Sequence, residues 1–475
     1  MKKTEKRKAT NVEAWSTIIF MIVCLAVGCS VFGFDLKMMM LTSCIFSLLI
    51  VWRLGYSWGE IQENICSAWG NVGGMFIVFF GIGFLIASWM CSGTAPVLVL
   101  WLAKLVAPEY ALVLSFVLVA ILSALIGTSF GSMGTLGIVM FSICQVQGIP
   151  ASISAAAVIC GAFVGSYISP VSDFFNLNAL LNKVSVSRMV KENALSVGLG
   201  ALITSAFFFI LGTKYSQVSS GVLDGVAALA VDIQKAFPCT GVLVVIPMVV
   251  CIGLCILKKP APVALFLSGI SAILIGIFAQ GFSLAQCLDA VYNGFSSSRM
   301  ISTEIGSVLS TLLNRGGILS MGDGMIFFMF SVANIALIQL TGIFDRLVKL
   351  FLGSGEKKAG VFKLNCVISL FSIFFTAAAG DGSPMATITA SSFRERYIEA
   401  GYDPSLIAKF SNLPCNIPTM YLPWSFCAWY SATIYGVSVG DYVPYAIMFW
   451  AIPAVGLILS ALGIGNTKLQ PDTEK

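Results

Sequence analysis

The chain alternates long apolar runs with short polar segments. Each run is near the roughly 20 residues that a helix needs to cross the hydrocarbon of a bilayer. The pattern predicts an all-α polytopic membrane protein with about 10–13 membrane segments. The longest apolar runs are 17–34, 38–52, 74–90, 111–126, 153–168, 194–211, 242–257, 263–279, 325–340, 362–379, 421–437 and 445–462.

Composition agrees with this class. Of the 475 residues, 58% are hydrophobic and 10% are charged, with a mean hydropathy of +0.93, so a soluble fold could not bury the apolar surface. The net charge of +5 is modest and gives no reason to expect a nucleic-acid partner. Five basic residues stand among the first eleven, against the single acid Glu5. We therefore expect a cytoplasmic N-terminus in front of a retained first helix.

Two stretches of the chain share a Gly and Pro skeleton at a constant offset of 253 residues. Gly127 corresponds to Gly380 and Pro170 to Pro423, so each Gly precedes its Pro-x-Ser motif by 43 positions. This register indicates a duplicated unit. The predicted divisions are 1–54 (basic tail and two leading helices), 55–212 (repeat 1), 213–280 (connector and linking helices), 281–465 (repeat 2) and 466–475 (polar C-terminal tail).

Basic residues fall on opposite sides of the two copies. Three follow the first Pro-x-Ser motif, whereas none occurs in the matching stretch 436–444. Between the Gly and the Pro-x-Ser motif the pattern reverses, because 141–156 is uncharged and its counterpart holds three. Cytoplasmic loops collect Lys and Arg, so the copies are predicted to be inverted repeats with interrupted helices and re-entrant segments, as in secondary transporters. The residues are Lys183, Arg188 and Lys191, then Arg394, Arg396 and Lys409.

Residue usage excludes several kinds of site. The chain has no His, which removes the common zinc and haem ligands and any imidazole proton shuttle, so proton handling falls to carboxylates. Most of the 14 Cys lie in apolar runs and fit helix packing. No cofactor is expected beyond Na⁺ and H⁺ as coupling ions. An enzyme is not expected, because the residues before Asp381 depart from the Gly-x-Gly-Asp sequence of intramembrane aspartyl proteases.

The first candidate motif is 127–135, where three glycines and four hydroxyls interrupt an apolar region. Glycines allow the backbone to break, and freed carbonyls and hydroxyls can replace water around a cation. The alternative is close helix packing through small residues. The predicted helix-breaking residues are Gly127, Gly131 and Gly134, and the predicted ligands are Thr128, Ser129 and Ser132.

The second candidate motif is 169–176. Pro170 frees a carbonyl one turn back, and Ser172, Asp173 and Asn176 offer hard oxygen ligands for an alkali cation. Ionisable residues inside membrane segments are costly and mark functional sites, so Asp173 is a predicted sodium ligand and proton carrier. The alternative places Asp173 at the headgroup end of its helix, reaching toward Lys183.

The second copy offers a related but different set. Asp381 is the second predicted sodium ligand and proton carrier, unless it only caps the following helix. The other predicted residues are Gly380, Gly382, Pro384 and Pro423 as helix breaks and Ser383 and Ser425 as ligands. Asn412, Asn416 and Thr419 line the approach to Pro423. The second Pro-x-Ser motif has no acid at the position of Asp173, so the site is predicted to be pseudo-symmetric. Glu304 and Asp323 are interpreted as interfacial.

Over roughly 15–465 the chain resembles the NhaC-type sodium/proton antiporter family of the ion transporter superfamily. The resemblance implies a bacterial inner-membrane carrier that binds sodium near Thr128, Ser129, Ser172, Asp173, Asn176 and Asp381. The residues that carry it are Trp89, Ser92–Thr94, Gly127–Ser129, Gly131, Gly134–Thr135, Gly161 through Asn176, Thr341–Gly342, Gly380–Asp381, Phe393 to Gly401, and Pro423–Trp424.

Two departures from the family pattern bear on the substrate. The family usually has an acid where this chain has Ser166, and a Thr pair where it has Phe174 and Phe175. The leading hypothesis is a cation-coupled antiporter in which sodium and protons compete for Asp173 and Asp381. The alternative is a Na⁺- or H⁺-coupled transporter of an amino acid or small organic acid; a channel is a third option. The expected partners are an inorganic cation, the lipid bilayer and, in the alternative, an organic solute, with a homodimer left open.

Overall fold

The computed structural model describes residues 6–216, 222–257, 259–343, 346, 360–379 and 382–469. These ranges are helical apart from turns and one isolated bridge between Tyr402 and Lys468. The helices are α1 Asn11–Ser30, α2 Leu36–Arg53, α3 Trp58–Cys91, α4 Thr94–Leu105, α5 Pro108–Ile126, α6 Ser129–Ser132, α7 Ile138–Val146, α8 Ala151–Ile168, α9 Asp173–Leu181, α10 Val186–Ser216, α11 Val222–Ala236, α12 Ile246–Ile256, α13 Ala261–Phe278, α14 Leu284–Asn293, α15 Ser297–Met300, α16 Ser307–Leu313, α17 Ile318–Leu340, α18 Val361–Ala379, α19 Gly382–Glu399, α20 Ser405–Tyr421, α21 Phe426–Tyr435, α22 Val439–Tyr442 and α23 Met448–Ala461.

Ten helices in the described ranges are long and apolar enough to cross a membrane. A bent pair, Val439–Tyr445 with Met448–Ala461, adds an eleventh candidate with a bend of 41°. Apolar side chains such as Ile121, Leu202 and Phe278 face outward on these helices, as expected where lipid replaces water. The prediction of an all-α polytopic membrane protein is confirmed.

The first copy contains an antiparallel hairpin, here called the first hairpin. It consists of α5, a turn at Gly127 and Thr128, α6, a π-helical turn at Met133–Gly137, and α7. Ser115 Oγ of α5 lies 3.3 Å from Cys144 Sγ of α7, which shows that the arms run side by side. α8 then packs against α5 so closely that a Cβ added at Gly161 would lie 2.4 Å from a backbone oxygen of α5.

The second hairpin repeats the first at the offset of 253. Its arms are α18 and α19, and this offset carries 108–126 onto 361–379 and 129–146 onto 382–399. The rings of Phe371 and Phe393 contact each other across its arms, tilted by 57° with centroids 5.5 Å apart. Each hairpin is followed by an interrupted helix, α8 with α9 in the first copy and α20 with α21 in the second. The helix boundaries therefore follow the register of the sequence repeat.

The two interrupted helices run antiparallel where they touch. Asn416 Nδ2 donates to Ser166 Oγ at 3.2 Å, and Asn178 Nδ2 donates to Ala408 O at 3.3 Å. From the first pair to the second, the residue number increases along α8–α9 and decreases along α20, so the two helices run antiparallel. Because these helices are equivalent under the repeat, equivalent elements of the two copies point in opposite directions at this contact.

The basic residues of the two copies lie at one end of the molecule. Arg394 Nη1 donates to Asn182 O at 2.7 Å, next to the turn that carries Lys183. Arg188 and Asp403 form an ion pair at 2.9 Å, with the Asp403 side chain 4% exposed. These contacts join the two basic clusters that the charge pattern assigned to the cytoplasm.

The N-terminal segment is tied to the ends of α2, α3 and α17. Arg7 N donates to Leu54 O at 3.1 Å, and Tyr56 Oη donates to Leu340 O at 3.2 Å. Lys6 Nζ lies 2.6 Å from Glu60 Oε1, and this hydrogen bond is the main cause that lowers the pKa of the Glu60 carboxyl to about 2. The start of α17, at Ile318, therefore lies at the end of the molecule opposite the basic tail.

Candidate functional site

The tip of the first hairpin touches the break in the first interrupted helix. Gly127 ends α5 with φ of +80°, a conformation that favours glycine. A Cβ at this position would lie 2.6 Å from the carbonyl carbon of Val171 and 2.8 Å from Ser172 N. Any side chain here would push the two segments apart. The structure thus brings together the two motifs predicted in the first copy.

Thr128 caps the helix that follows the tip. Its hydroxyl accepts from Gly131 N at 3.4 Å, while its carbonyl accepts from Ser132 Oγ at 2.9 Å. Ser129 is also buried, with 8% of its surface exposed. The tip therefore presents hydroxyls and a short helix N-terminus in the protein interior.

Gly131 and Gly134 do not end a helix, in contrast to their predicted role as breaks. Gly131 lies in α6, and Gly134 lies in the π-helical turn. Their missing side chains serve close packing, because a Cβ at Gly131 would lie 2.8 Å from Thr128 Cγ2 and one at Gly134 would lie 3.4 Å from Tyr430 Oη. The chain turns at Gly127 and Thr128, and the π-helical turn that holds Gly134 is a second, smaller irregularity.

The break at 169–172 exposes backbone groups that side chains then bind. Ser169 Oγ donates to Ala124 O at 2.7 Å, and Asn176 Nδ2 donates to Pro170 O at 3.0 Å. Ser172 is buried and precedes α9 without a side-chain capping bond. Asp173 stands in the first turn of α9 and is exposed. An unburied carboxylate beside a buried hydroxyl can be reached by an ion from solution.

Ser166 connects the two copies. Because Pro170 has no N–H, the carbonyl of Ser166 lacks its helical donor, and Asn412 Nδ2 donates to it at 3.4 Å. The Ser166 hydroxyl accepts from Asn416 Nδ2 at 3.2 Å. Asn412 Oδ1 is buried and has no hydrogen-bond partner in the described part of the chain. Two asparagine amides thus surround the position where the family has an acid.

The first copy meets the tip of the second hairpin at Phe174. A Cβ at Gly382 would lie 2.9 Å from Phe174 Cζ and 3.7 Å from Cys415 Sγ. Phe174 directly follows Asp173, and Gly382 directly follows Asp381 in the sequence. We name this contact the acidic junction. Gly380 and Asp381 lie outside the described residues, as do the side chains of Ser383, Pro384 and Asp323.

The converse contact joins the tip of the first hairpin to the second interrupted helix. Phe130 packs edge-on against Phe426 and Tyr430, with centroid distances of 5.4 and 5.1 Å. Tyr430 Oη donates to Phe130 O, and Tyr435 Oη donates to Met133 O, both at 3.1 Å. We name this contact the aromatic junction. Under the offset of 253, Phe426 occupies the place of Asp173.

The second Pro-x-Ser motif packs on its own hairpin. Trp424 Nε1 donates to Ala377 O at 3.1 Å, and Pro423 is exposed beside it. Ser425 Oγ and Thr376 Oγ1 are both buried, and neither has a hydrogen-bond partner within the described ranges. Thr376 neighbours Ala377 in the chain and Ser425 neighbours Trp424, so both residues flank the pair that this hydrogen bond joins.

Sequence reasoning named most of these residues but missed several connections. It noted Ser166, Asn412 and Asn416 without pairing them, although the proline four residues after Ser166 signals a free carbonyl. It also missed Tyr430 and Tyr435, which are ordinary aromatic residues in an apolar run. In the described ranges no group of three or more His, Cys, Asp and Glu side chains converges.

Comparisons with known proteins agree with this architecture. An uncharacterized Na⁺/H⁺ antiporter of Haemophilus influenzae is 27% identical over 99% of this chain and 100% of its own length. A malate-2H⁺/Na⁺-lactate antiporter of Bacillus subtilis is 29% identical over 89% of this chain and 88% of its own. The Na⁺/H⁺ antiporter NhaC of Bacillus subtilis is 25% identical, covering 96% and 98%. The model of the Na⁺/H⁺ antiporter family matches residues 176–464, and the chain therefore belongs to that family.

Proposed function

We propose that this cation-coupled antiporter binds sodium and the exchanged proton at the acidic junction. The observation that carries the proposal is the contact between Phe174 and Gly382, which brings the residue after Asp173 against the residue after Asp381. One carboxylate comes from each copy, and each belongs to an interrupted segment. Discontinuous helices that meet between repeats are the usual setting for coupling ions in secondary transporters.

The oxygen atoms available near these carboxylates suit sodium. Ser172 lies at the break beside Asp173, while Thr376 and Ser425 offer buried hydroxyls near the second tip. Hydroxyl, carbonyl and carboxylate oxygens are hard ligands that alkali cations accept. A proton that binds either carboxylate removes a negative charge from the site, so sodium and proton binding exclude each other. This competition couples the two fluxes.

We also infer that the copies are inverted repeats in a bacterial inner membrane, with a cytoplasmic N-terminus. Two facts support this topology. The interrupted helices run antiparallel at Ser166 and Asn416, and the basic clusters of both copies meet at Arg394 and Arg188. If the two halves cross the membrane in opposite directions, the positive-inside rule requires that both basic clusters lie at the same, cytoplasmic end.

Everted vesicles from cells that lack other sodium/proton antiporters test the proposal. A pH-sensitive dye reports an imposed proton gradient, and sodium should dissipate it. Asp173→Asn and Asp381→Asn should each reduce the initial rate by about 100-fold, because the site then lacks one of the two carboxylates for which sodium and the proton compete. Asp35→Asn is the matched control: Asp35 caps α2 through a bond to Lys37 N, and Asn can make the same cap. Full activity in both Asn variants would contradict the site.

A second candidate function is exchange of a small organic anion coupled to sodium or protons. Phe174 favours it, because an aromatic ring at the acidic junction replaces a hydroxyl of the family pattern and can wall a less polar solute. A relative whose name states malate and lactate exchange is consistent with this function. The same vesicles distinguish the candidates: a sodium response that requires added malate, lactate or an amino acid supports the organic solute.

A further inference from the structure

Arg315 is a half-buried cation that forms no ion pair with the described acids. It lies in the segment between α16 and α17, and its guanidinium carbon stands 5.4 Å from the centroid of the Phe141 ring. Its Nη1 is shielded from solvent and has no hydrogen-bond partner among the described residues. A buried guanidinium nitrogen without a hydrogen-bond partner is costly, and an anion bound there would remove this cost.

Neighbouring acids of known position are engaged elsewhere or exposed. Asp289 pairs with Arg299 at 2.8 Å, and Asp232 accepts from Gly306 N at 2.9 Å. Glu304 is exposed. No described carboxylate therefore neutralises Arg315.

The backbone holds Arg315 firmly in place. Phe295 N donates to Arg315 O at 3.3 Å, and Gly317 N donates to Gly83 O at 3.0 Å. A Cβ at Gly316 would lie 2.7 Å from Ala87 N, so the turn fits only against α3. This fixed backbone limits the conformational freedom of the guanidinium. A preorganised charge loses little entropy when it binds a ligand.

Arg315 is also connected to the first hairpin. The Phe141 ring beneath it belongs to α7 and packs against Tyr435 at a centroid distance of 4.9 Å. Tyr435 in turn donates to Met133 O in the π-helical turn. A ligand on Arg315 therefore rests on the arm that carries the hairpin tip, on the side of the molecule opposite the basic tail.

We propose that Arg315 binds the carboxylate of a small organic anion that this protein exchanges. The inference rests on the proposed antiporter function and decides its substrate class. A path for sodium alone gains nothing from a bare guanidinium, which repels cations. The planar fork of a guanidinium matches a carboxylate in two parallel hydrogen bonds, and the candidate motifs themselves contain no Lys or Arg.

Thermal unfolding of the purified full-length protein in detergent tests the binding step. The probes are the sodium salts of malate, lactate, succinate and glutamate, compared with sodium chloride and phosphate at equal sodium concentration. At least one carboxylate should raise the melting temperature of the wild type. Arg315→Gln should increase the carboxylate concentration that gives half of the maximal rise in melting temperature about tenfold or more. This is the effect of losing one charged hydrogen bond. Arg299→Gln, which changes an exposed arginine of α15, should leave this concentration unchanged.

Two further variants distinguish a loss of carboxylate binding from a folding defect. Arg315→Lys keeps the charge without the fork and should weaken binding several-fold, and Phe141→Leu keeps the guanidinium but removes the ring beneath it. The proposal is overturned if no carboxylate shifts the wild type, if only phosphate or added phosphatidylglycerol does, or if both Arg315 variants match the wild type.

Vesicle assays separate this inference from the proposed function. If Asp173→Asn abolishes sodium-driven proton release while Arg315→Gln affects neither release nor carboxylate dependence, only the Arg315 inference fails. If Asp173→Asn retains full release, the proposed site fails, whatever Arg315 does.

Discussion

The acidic and aromatic junctions are equivalent places in a duplicated protein, yet their chemistry is opposite. Each joins the hairpin tip of one copy to the helix after the break of the other. At the acidic junction the sequence has Asp173 and Asp381. The same positions at the aromatic junction hold Phe426 and Thr128. In the sequence both acids stand next to residues of one junction, although they occupy different positions in their own copies.

The two junctions share one feature that backbone geometry requires and differ in another that ion binding requires. The carbonyl before each hairpin tip receives a hydrogen bond in both copies, from Ser169 to Ala124 O in one and from Trp424 to Ala377 O in the other. The backbone break needs that donor, and different side chains supply it. Carboxylates are needed only where an ion binds, so the aromatic junction can be filled with packed aromatic side chains instead.

The largest expected effect comes from placing an acid in the aromatic junction. Phe426→Asp would bury a carboxylate among Phe79, Phe328 and Tyr430, where no described cation could pair with it. We expect a loss of at least about 3 kcal/mol of stability, because an unpaired buried charge keeps its desolvation cost. Thermal unfolding in detergent and the yield of folded protein measure this loss.

Phe426→Leu is the control for this substitution. It removes the ring but stays apolar, so the cost should remain below about 1.5 kcal/mol. If Phe426→Asp folds with the stability of Phe426→Leu, the junction admits water, and the contrast between the two junctions is wrong.

The sequence predicted the elements because its signals were local or strictly periodic. Apolar runs gave the membrane helices, and the offset of 253 located both hairpins and both interrupted helices. Gly127 was recognisable as a break because a glycine preceding hydroxyl residues is unusual inside a long apolar run. These features depend on residues close in the chain.

Contacts between the copies were beyond sequence reasoning. Nothing near Ser166 in the chain announces that amides from Asn412 and Asn416 bind it, 246 and 250 residues away. Gly131 and Gly134 also share the composition of a break, although they serve close packing against Thr128 and Tyr430. Gly131 packs within its own copy and Gly134 against the other copy, and a single sequence records only the small size of both residues.

The second-largest expected effect is a difference in solvent accessibility between the equivalent positions 173 and 426. Asp173 is exposed, whereas Phe426 is 6% exposed, so a cysteine at 173 should react with a membrane-impermeant maleimide at least about tenfold faster than one at 426. The measurement uses everted vesicles, which present the cytoplasmic face, with the exposed Cys66 replaced by Ser. Labelling rates are read by mass shift after quenching.

The parent protein with Cys66→Ser gives the background from the remaining cysteines. Equal labelling rates at 173 and 426 would show that both junctions open to the same solution. Faster labelling at 173 in right-side-out cells than in everted vesicles would place the acidic junction on the outer side and contradict the proposed orientation.

The smallest expected effect concerns the hydrogen bond that closes the aromatic junction. Tyr430→Phe removes only the donor to Phe130 O, so it should cost about 1 kcal/mol. The Phe130 carbonyl also accepts from Met133 N, and Tyr430 adds the bond that joins this turn to α21, just before the π-helical turn. Backbone hydrogen exchange over 129–137 should therefore become faster.

Tyr442→Phe is the matched control for Tyr430→Phe. Tyr442 is also buried and donates to a backbone carbonyl, Met420 O at 2.8 Å, but it has no bond to the first hairpin. Both variants should lose similar stability, while only Tyr430→Phe accelerates exchange over 129–137. Equal acceleration in both would mean that the tip responds to overall stability, and the aromatic junction would then have no specific part in holding the first hairpin.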